Sequence, residues 1–181
     1  RSAGFEEVGK QATASKKRLD ETAIAIVKLE DNGNWWVDKI LHGRWDIRET
    51  AVNILKTIRD YQPIGVGIER GALKNAVLPY LNDLMRKNNI YAHIQDLTHG
   101  NKKKTDRVVW SLQGRMEHGR ISFNEEEDWE EFKDQLIMFP TVGVHDDLVD
   151  ALSYIDQLAV ANYQQDYEEE EHIILDKVAG Y

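Results

Sequence analysis

The run Ile64-Gly65-Val66-Gly67-Ile68-Glu69 lies between two segments whose apolar residues recur at helical spacing. Upstream, Ala51, Ile54, Leu55 and Ile58 fall on one face of a helix predicted over 47–61. Downstream, Val77, Leu78, Leu81, Leu84 and Met85 do the same in a helix that begins at Ala72. The run between them is short, apolar and entered through Pro63, so it reads as a buried strand. Helix, apolar strand, helix is an α/β unit, and it commits the chain to a sheet covered by helices. Glu69 closes the strand. Open α/β sheets gather ligand and catalytic groups at the C-terminal edges of their strands. Glu69 is therefore either a site carboxylate or a loop glutamate paired with Arg70.

The rest of the chain extends the same plan. Thr22 to Val27 is rich in β-branched residues, Asp31-Asn32-Gly33-Asn34 supplies a turn, and Trp35 to Leu41 returns as the second strand of a hairpin. Ile90 to Ile94 reads as a strand, Lys104 to Glu117 as a helix, and Arg120 to Phe123 as a short strand. Helices are predicted from Trp129 to Ile137, with the acidic run 125–128 as its cap, and from Asp146 to about Tyr163. A hairpin followed by alternating helices and strands gives a mixed β-sheet with helices on both faces. The tryptophans Trp35, Trp36, Trp45, Trp110 and Trp129 are scattered, a pattern of packing rather than of base stacking.

The last of these helices opens on His145-Asp146-Asp147-Leu148-Val149-Asp150-Ala151-Leu152. Asp147 and Asp150 are three apart and share a helix face. The N-terminal dipole tolerates such a concentration of anions, and Asp146 can serve as an ordinary N-cap. With Glu69 supplied from a strand edge, the same carboxylates become a candidate metal centre. Glu69, Asp146, Asp147 and Asp150 are oxygen donors of the kind that Mg²⁺ and Mn²⁺ prefer. His145 is placed either to orient a water or to close the turn.

A strand ending in Glu69, the His145–Leu152 helix start and Phe139-Pro140 just ahead of it resemble the nuclease domain of a tailed-bacteriophage large terminase subunit. The likeness spans roughly residues 3 to 160, with residues 33–37 matching that family's second strand and Lys104 with Arg107 its basic helix start. It implies an RNase H-like fold and a metal-dependent endonuclease that cuts concatemeric viral DNA during genome packaging. It also implies two Mg²⁺ or Mn²⁺ ions, a separate ATPase domain, and contacts to the portal or procapsid and the small terminase subunit in the host cell cytoplasm. Such a pair of ions lies about 4 Å apart and acts on an in-line displacement at phosphorus. The family's first-strand aspartate precedes a small-residue stretch like Ala3-Gly4, where this sequence has Arg1-Ser2; Glu6, Glu7 and Asp20 are the acidic residues nearby. A junction resolvase or transposase-type nuclease on the same fold, or a catalytically silent DNA-gripping module, are the alternatives.

Length and charge set the remaining bounds. The 181 residues suit one compact domain, here 1–163, followed by an acidic tail over 164–181. No run of eighteen apolar residues marks a membrane span. With no cysteine, a disulfide framework and a thiolate metal site are both excluded. A formal charge of −9 rules out a general nucleic-acid sponge, so double-stranded DNA must meet local basic clusters. Two are present: Lys102, Lys103, Lys104 and Arg107 at a helix start, and Lys16, Lys17 and Arg18 before the hairpin. Neither carries a base-reading motif, so little sequence preference is expected. No phosphate-cradling GxxxxGK[ST] loop occurs.

Overall fold

The structure, a computed structural model, describes residues 21–98, 103–141 and 143–160. The predicted tail, the Lys16-Lys17-Arg18 cluster, Lys102, and Glu6, Glu7 and Asp20 all lie outside the described residues. Elements follow in the order β1 (Thr22–Leu29), β2 (Trp35–Gly43), α1 (Ile47–Tyr61), β3 (Val66–Glu69), α2 (Ala72–Asn88) and β4 (Ile94–Leu97). Then come α3 (Lys104–Val108), a π-helical segment (Val109–Gln113), α4 (Gly114–Glu117), β5 (Ile121–Phe123), α5 (Glu130–Met138) and α6 (Asp147–Ser153).

Among the described residues the strands form two sheets. β1 pairs antiparallel with β2, and β2 pairs parallel with β5, so this sheet is mixed. β3 and β4 form a separate parallel pair, with Glu69 opposite Leu97. In β2 the buried positions are Trp35 and Val37, then Ile40. The register shift between Ile26 and Val27 leaves Asp38 as the extra residue on β2, and this moves the inward face from odd to even positions.

The two faces of β1 bury against different partners. Ala23, Ala25, Val27 and Leu29 pack with Trp35, Val37, Leu112, Phe132, Val149 and Leu152, contributed by β2, the π segment, α5 and α6. Ile24, on the alternate face, joins Ala51, Ile54, Ile58, Val77 and Leu81 from α1 and α2. Helices therefore cover both sides. α1 begins as its sequence dictates. Asp46 accepts from the Arg48 and Glu49 amides at 2.9 and 2.8 Å, while Glu49 accepts from the Asp46 amide.

Three sequence expectations are corrected. The fourth strand occupies Ile94–Leu97 rather than 90–94. α2 ends on Asn89 in the left-handed region, and the Ile90 amide bonds back to Met85. That turn places Ile90 and Ala92 on the helical core, and pairing begins only where Ile94 meets Val66. The helix from Asp146 is broken by a turn at Tyr154 and resumes over 155–160, with Tyr163 outside the described residues. Trp110 is not part of the core: it is 69 % exposed, and Ser111 and Leu112 take the inward positions of the π segment.

Candidate active site

α6 is held in place by its apolar face. Leu148, Val149 and Leu152 are buried against β1 and α5, and the Leu148 amide donates to Gln135 Oε1 of α5 at 2.9 Å. That bond satisfies one of the free amides at the helix start with a buried partner. Asp146 occupies the N-cap position, yet its side chain makes no bond to its own helix. It accepts instead from Lys104 Nζ at 2.8 Å. The capping reading of Asp146 fails on this geometry.

Lys104 is shared. Its ammonium also lies 3.2 Å from Asp150 Oδ2, so one cation bridges two carboxylates one helical turn apart. Asp150 Oδ1 accepts from Arg107 Nη2. Burial works to lower the Lys104 pKa, but the Asp146 hydrogen bond and the Asp150 charge outweigh it, and the net displacement is upward. Arg107 is buried, and its guanidinium carbon lies 3.9 Å from the Tyr154 ring centroid. Burial raises the Tyr154 hydroxyl pKa to about 12, with the Arg107 charge opposing and the Glu69 and Asp150 charges adding.

The Glu69 and Asp150 charges thus both act on the Tyr154 hydroxyl. Glu69 sits exposed at the end of β3 as its sequence position predicts. Two bonds between Gln157 and the Thr98 backbone, 3.1 and 2.7 Å, tie the chain after α6 to the end of β4. Since β4 runs beside β3, the tether draws the last helix towards the strand edge that carries Glu69.

Asp147 faces elsewhere. Its carboxylate lies 3.4 Å from His145 Nδ1, and ligand atoms of Glu21, His145 and Asp147 all fall within 4.8 Å of one another. Burial pushes the Asp147 pKa up, against the His145 hydrogen bond and the Lys104 charge. A second group, Glu21, His42 and Glu131, converges equally closely. Glu69 and Asp147 do not occur together in any such three-ligand group among the described residues.

Sequence reasoning did not single out Glu21 or Tyr154. Glu21 stands at the mouth of β1, next to Asp20, and only the folded hairpin shows that it meets α6. Tyr154 falls in what reads as an uninterrupted helix, so nothing local marks it. Lys103 is exposed at the start of α3, whereas Lys104 and Arg107, expected to face DNA, engage carboxylates.

A family model described as a terminase RNase H-like domain matches residues 12–156. Among solved structures, the yeast mitochondrial Holliday junction resolvase is similar at 12% identity and a TM-score of 0.45, covering 72% of this chain and 70% of that one. No curated protein matches the sequence.

Proposed function

The chain belongs to the terminase RNase H-like domain family, and from that premise we propose that it is the DNA-cutting domain of a viral packaging motor. At the coarser level it is a nuclease of RNase H-like fold. The finer reading is a metal-dependent endonuclease acting on concatemeric double-stranded DNA, with the portal or procapsid and the small terminase subunit as partners in the host cytoplasm. No helix among the described residues is long and apolar enough to cross a membrane.

One observation supports this reading above the rest. Asp146 and Asp150 are brought together around a cation, the Lys104 ammonium, beside a third carboxylate, Asp147, that pairs with His145 instead. Like charges concentrated at a helix start demand a counter-charge, and here a side chain stands in for one. The donors fit a hard divalent ion. Asp147, with Glu21 and His145 in reach, would hold one Mg²⁺ or Mn²⁺. Asp146 and Asp150, the two carboxylates that Lys104 bridges, would offer a second position, with Glu69 as the strand-edge donor that the family pattern implies. Such ions, when bound, supply a nucleophilic water at neutral pH and shield the charge that develops on the phosphate.

The chain's own groups do the remaining work. His145, 62% exposed on its side chain, stands free of the core where it can orient water or meet the scissile phosphate. Lys102 and Lys103 precede α3 and bind the DNA backbone without reading bases. Plasmid cleavage with and without Mn²⁺ tests the proposal, using the wild type, Glu69→Ala and Asp147→Ala. Loss of nicking in both variants, with the fold intact by circular dichroism, supports it. Nicking by both at the wild-type rate moves the site elsewhere. DNA binding with no cleavage by the wild type leaves a silent gripping module.

A further inference from the structure

Lys104 and Arg107 both neutralise the α6 carboxylates, but they are held differently. Arg107 is buried at 8% exposure, its guanidinium against the Tyr154 ring and its Nη2 on Asp150 Oδ1. Lys104 is 38% exposed, and its ammonium spans Asp146 Oδ1 at 2.8 Å and Asp150 Oδ2 at 3.2 Å. Lys104 covers Asp146 Oδ1 and Asp150 Oδ2, while Asp150 Oδ1 belongs to Arg107, so the oxygens open to exchange are the ones under the exposed ammonium. An ammonium on a flexible four-carbon stem can swing away without disturbing the core, whereas a stacked, forked guanidinium cannot.

We propose that Lys104 is an exchangeable internal counter-cation. It holds Asp146 and Asp150 together in the metal-free enzyme, yields their oxygens to a divalent ion, and then turns to a DNA phosphate. Arg107 is the fixed anchor that keeps Asp150 oriented throughout. Lys104 is thus a positioning residue that couples metal loading to DNA binding. Two roles that conflict in a static picture, carboxylate partner and phosphate ligand, become successive states of one side chain. This inference rests on the reading of Asp146 and Asp150 as cation ligands.

The test is Mn²⁺ binding to the full chain by titration calorimetry, with no DNA and no turnover. Lys104→Gln removes the competing charge and should bind Mn²⁺ about tenfold more tightly, the equivalent of one lost charge-assisted hydrogen bond. The same variant should melt lower than the wild type in chelator and gain more from added Mn²⁺. Lys104→Arg keeps a cation in place and should bind Mn²⁺ no more tightly than the wild type. With DNA, Mn²⁺ should steepen the salt dependence of wild-type binding by about one unit more than that of Lys104→Gln. Equal Mn²⁺ affinity in the wild type and Lys104→Gln overturns the exchange while sparing the metal site. A wild type that binds no Mn²⁺ overturns the site itself. If Lys104→Gln does not fold, Lys104→Arg decides: tighter Mn²⁺ binding by that variant overturns the exchange, and equal or weaker binding supports it.

Discussion

The guanidinium carbon of Arg107 lies 3.9 Å from the Tyr154 ring centroid, and the same guanidinium donates to Asp150. One side chain therefore holds two positions of α6 that lie one helical turn apart. It packs on the residue where the helix is interrupted and orients a carboxylate near its start. Arg107→Ala would leave Asp150, only 15% exposed on its side chain, with Lys104 as its remaining partner. Removing one member of a buried pair costs about 3 kcal/mol. The variant should show a clearly lower urea midpoint, and Arg107→Lys should recover only part of it, because an ammonium neither forks nor stacks. An unchanged midpoint in Arg107→Ala would show that the pair contributes nothing to the fold.

Asp147 makes a prediction of opposite sign. Its pKa is raised, chiefly by burial. A carboxyl whose folded-state pKa lies above its unfolded value binds protons preferentially in the folded state. Its contribution is thus fully present below the unfolded value and is lost as pH rises through the folded one. The metal-free protein should therefore carry a penalty from Asp147 at neutral pH. Asp147→Asn should abolish it, giving a melting temperature at pH 7 in chelator that equals or exceeds the wild type, with a flatter profile through the acid range. A variant that melts lower at pH 7 yet parallels the wild type at every pH would contradict this sign. Added Mn²⁺ should reverse the ranking, because the ion stabilises only the chain that keeps the carboxylate.

Gly67 links the fold to the site through packing alone. It sits two residues before Glu69 in β3, and a Cβ there would meet three atoms of the Leu97 side chain at 2.7 Å. Leu97 is buried opposite Glu69, so it cannot simply turn aside. Gly67→Ala should destabilise by about 1–3 kcal/mol, as overpacked positions do. It should also weaken metal-dependent activity by shifting the strand end that carries Glu69. Thermal melts and cleavage assays on the one variant check both effects; wild-type values in both would mean that β4 yields freely.

Much of this was legible in the sequence, for physical reasons that differ by element. α1 declared itself through Asp46, Glu49 and the spacing of Ala51, Ile54, Leu55 and Ile58, all local signals. β3 followed from a short apolar run between helices, but the run reads as buried from Ile64, whereas the strand begins at Val66, its residues are half-buried up to an exposed Glu69, and Ile64 is 95 % exposed. β4 was misplaced because Ile90 and Ala92 are apolar for a different purpose: they cover the helical core after a left-handed turn that no glycine announces. The break at Tyr154 escaped because its cause is tertiary. Arg107 lies far away in sequence and only the fold brings it to that ring. The acidic cluster itself was readable, but its partners were not. A lysine run looks the same in sequence whether it faces solvent, DNA or a pair of aspartates. Glu21 stayed hidden because one carboxylate before a strand carries no pattern at all.

The basic helix start divides into two functional halves, and salt dependence separates them. Lys103 is exposed at the N-cap of α3 and makes no capping bond with its side chain. Lys102 precedes it in sequence, outside the described residues. Replacing both with Ala should weaken DNA binding about equally across sequences and lower the salt slope by about two units, one per phosphate contact. The double replacement should leave Mn²⁺ affinity unchanged, since among the described residues Lys103 pairs with no carboxylate. Arg107→Ala should behave in the reverse manner. Its charge is committed to Asp150, so the salt slope should hold while stability falls. A duplex titrated at several salt concentrations against the double variant and against Arg107→Ala reads both halves at once. If Arg107→Ala lowers the slope by a full unit while the double variant leaves it unchanged, the DNA path runs along the buried side of α3, and Lys102 and Lys103 are ordinary solvated lysines.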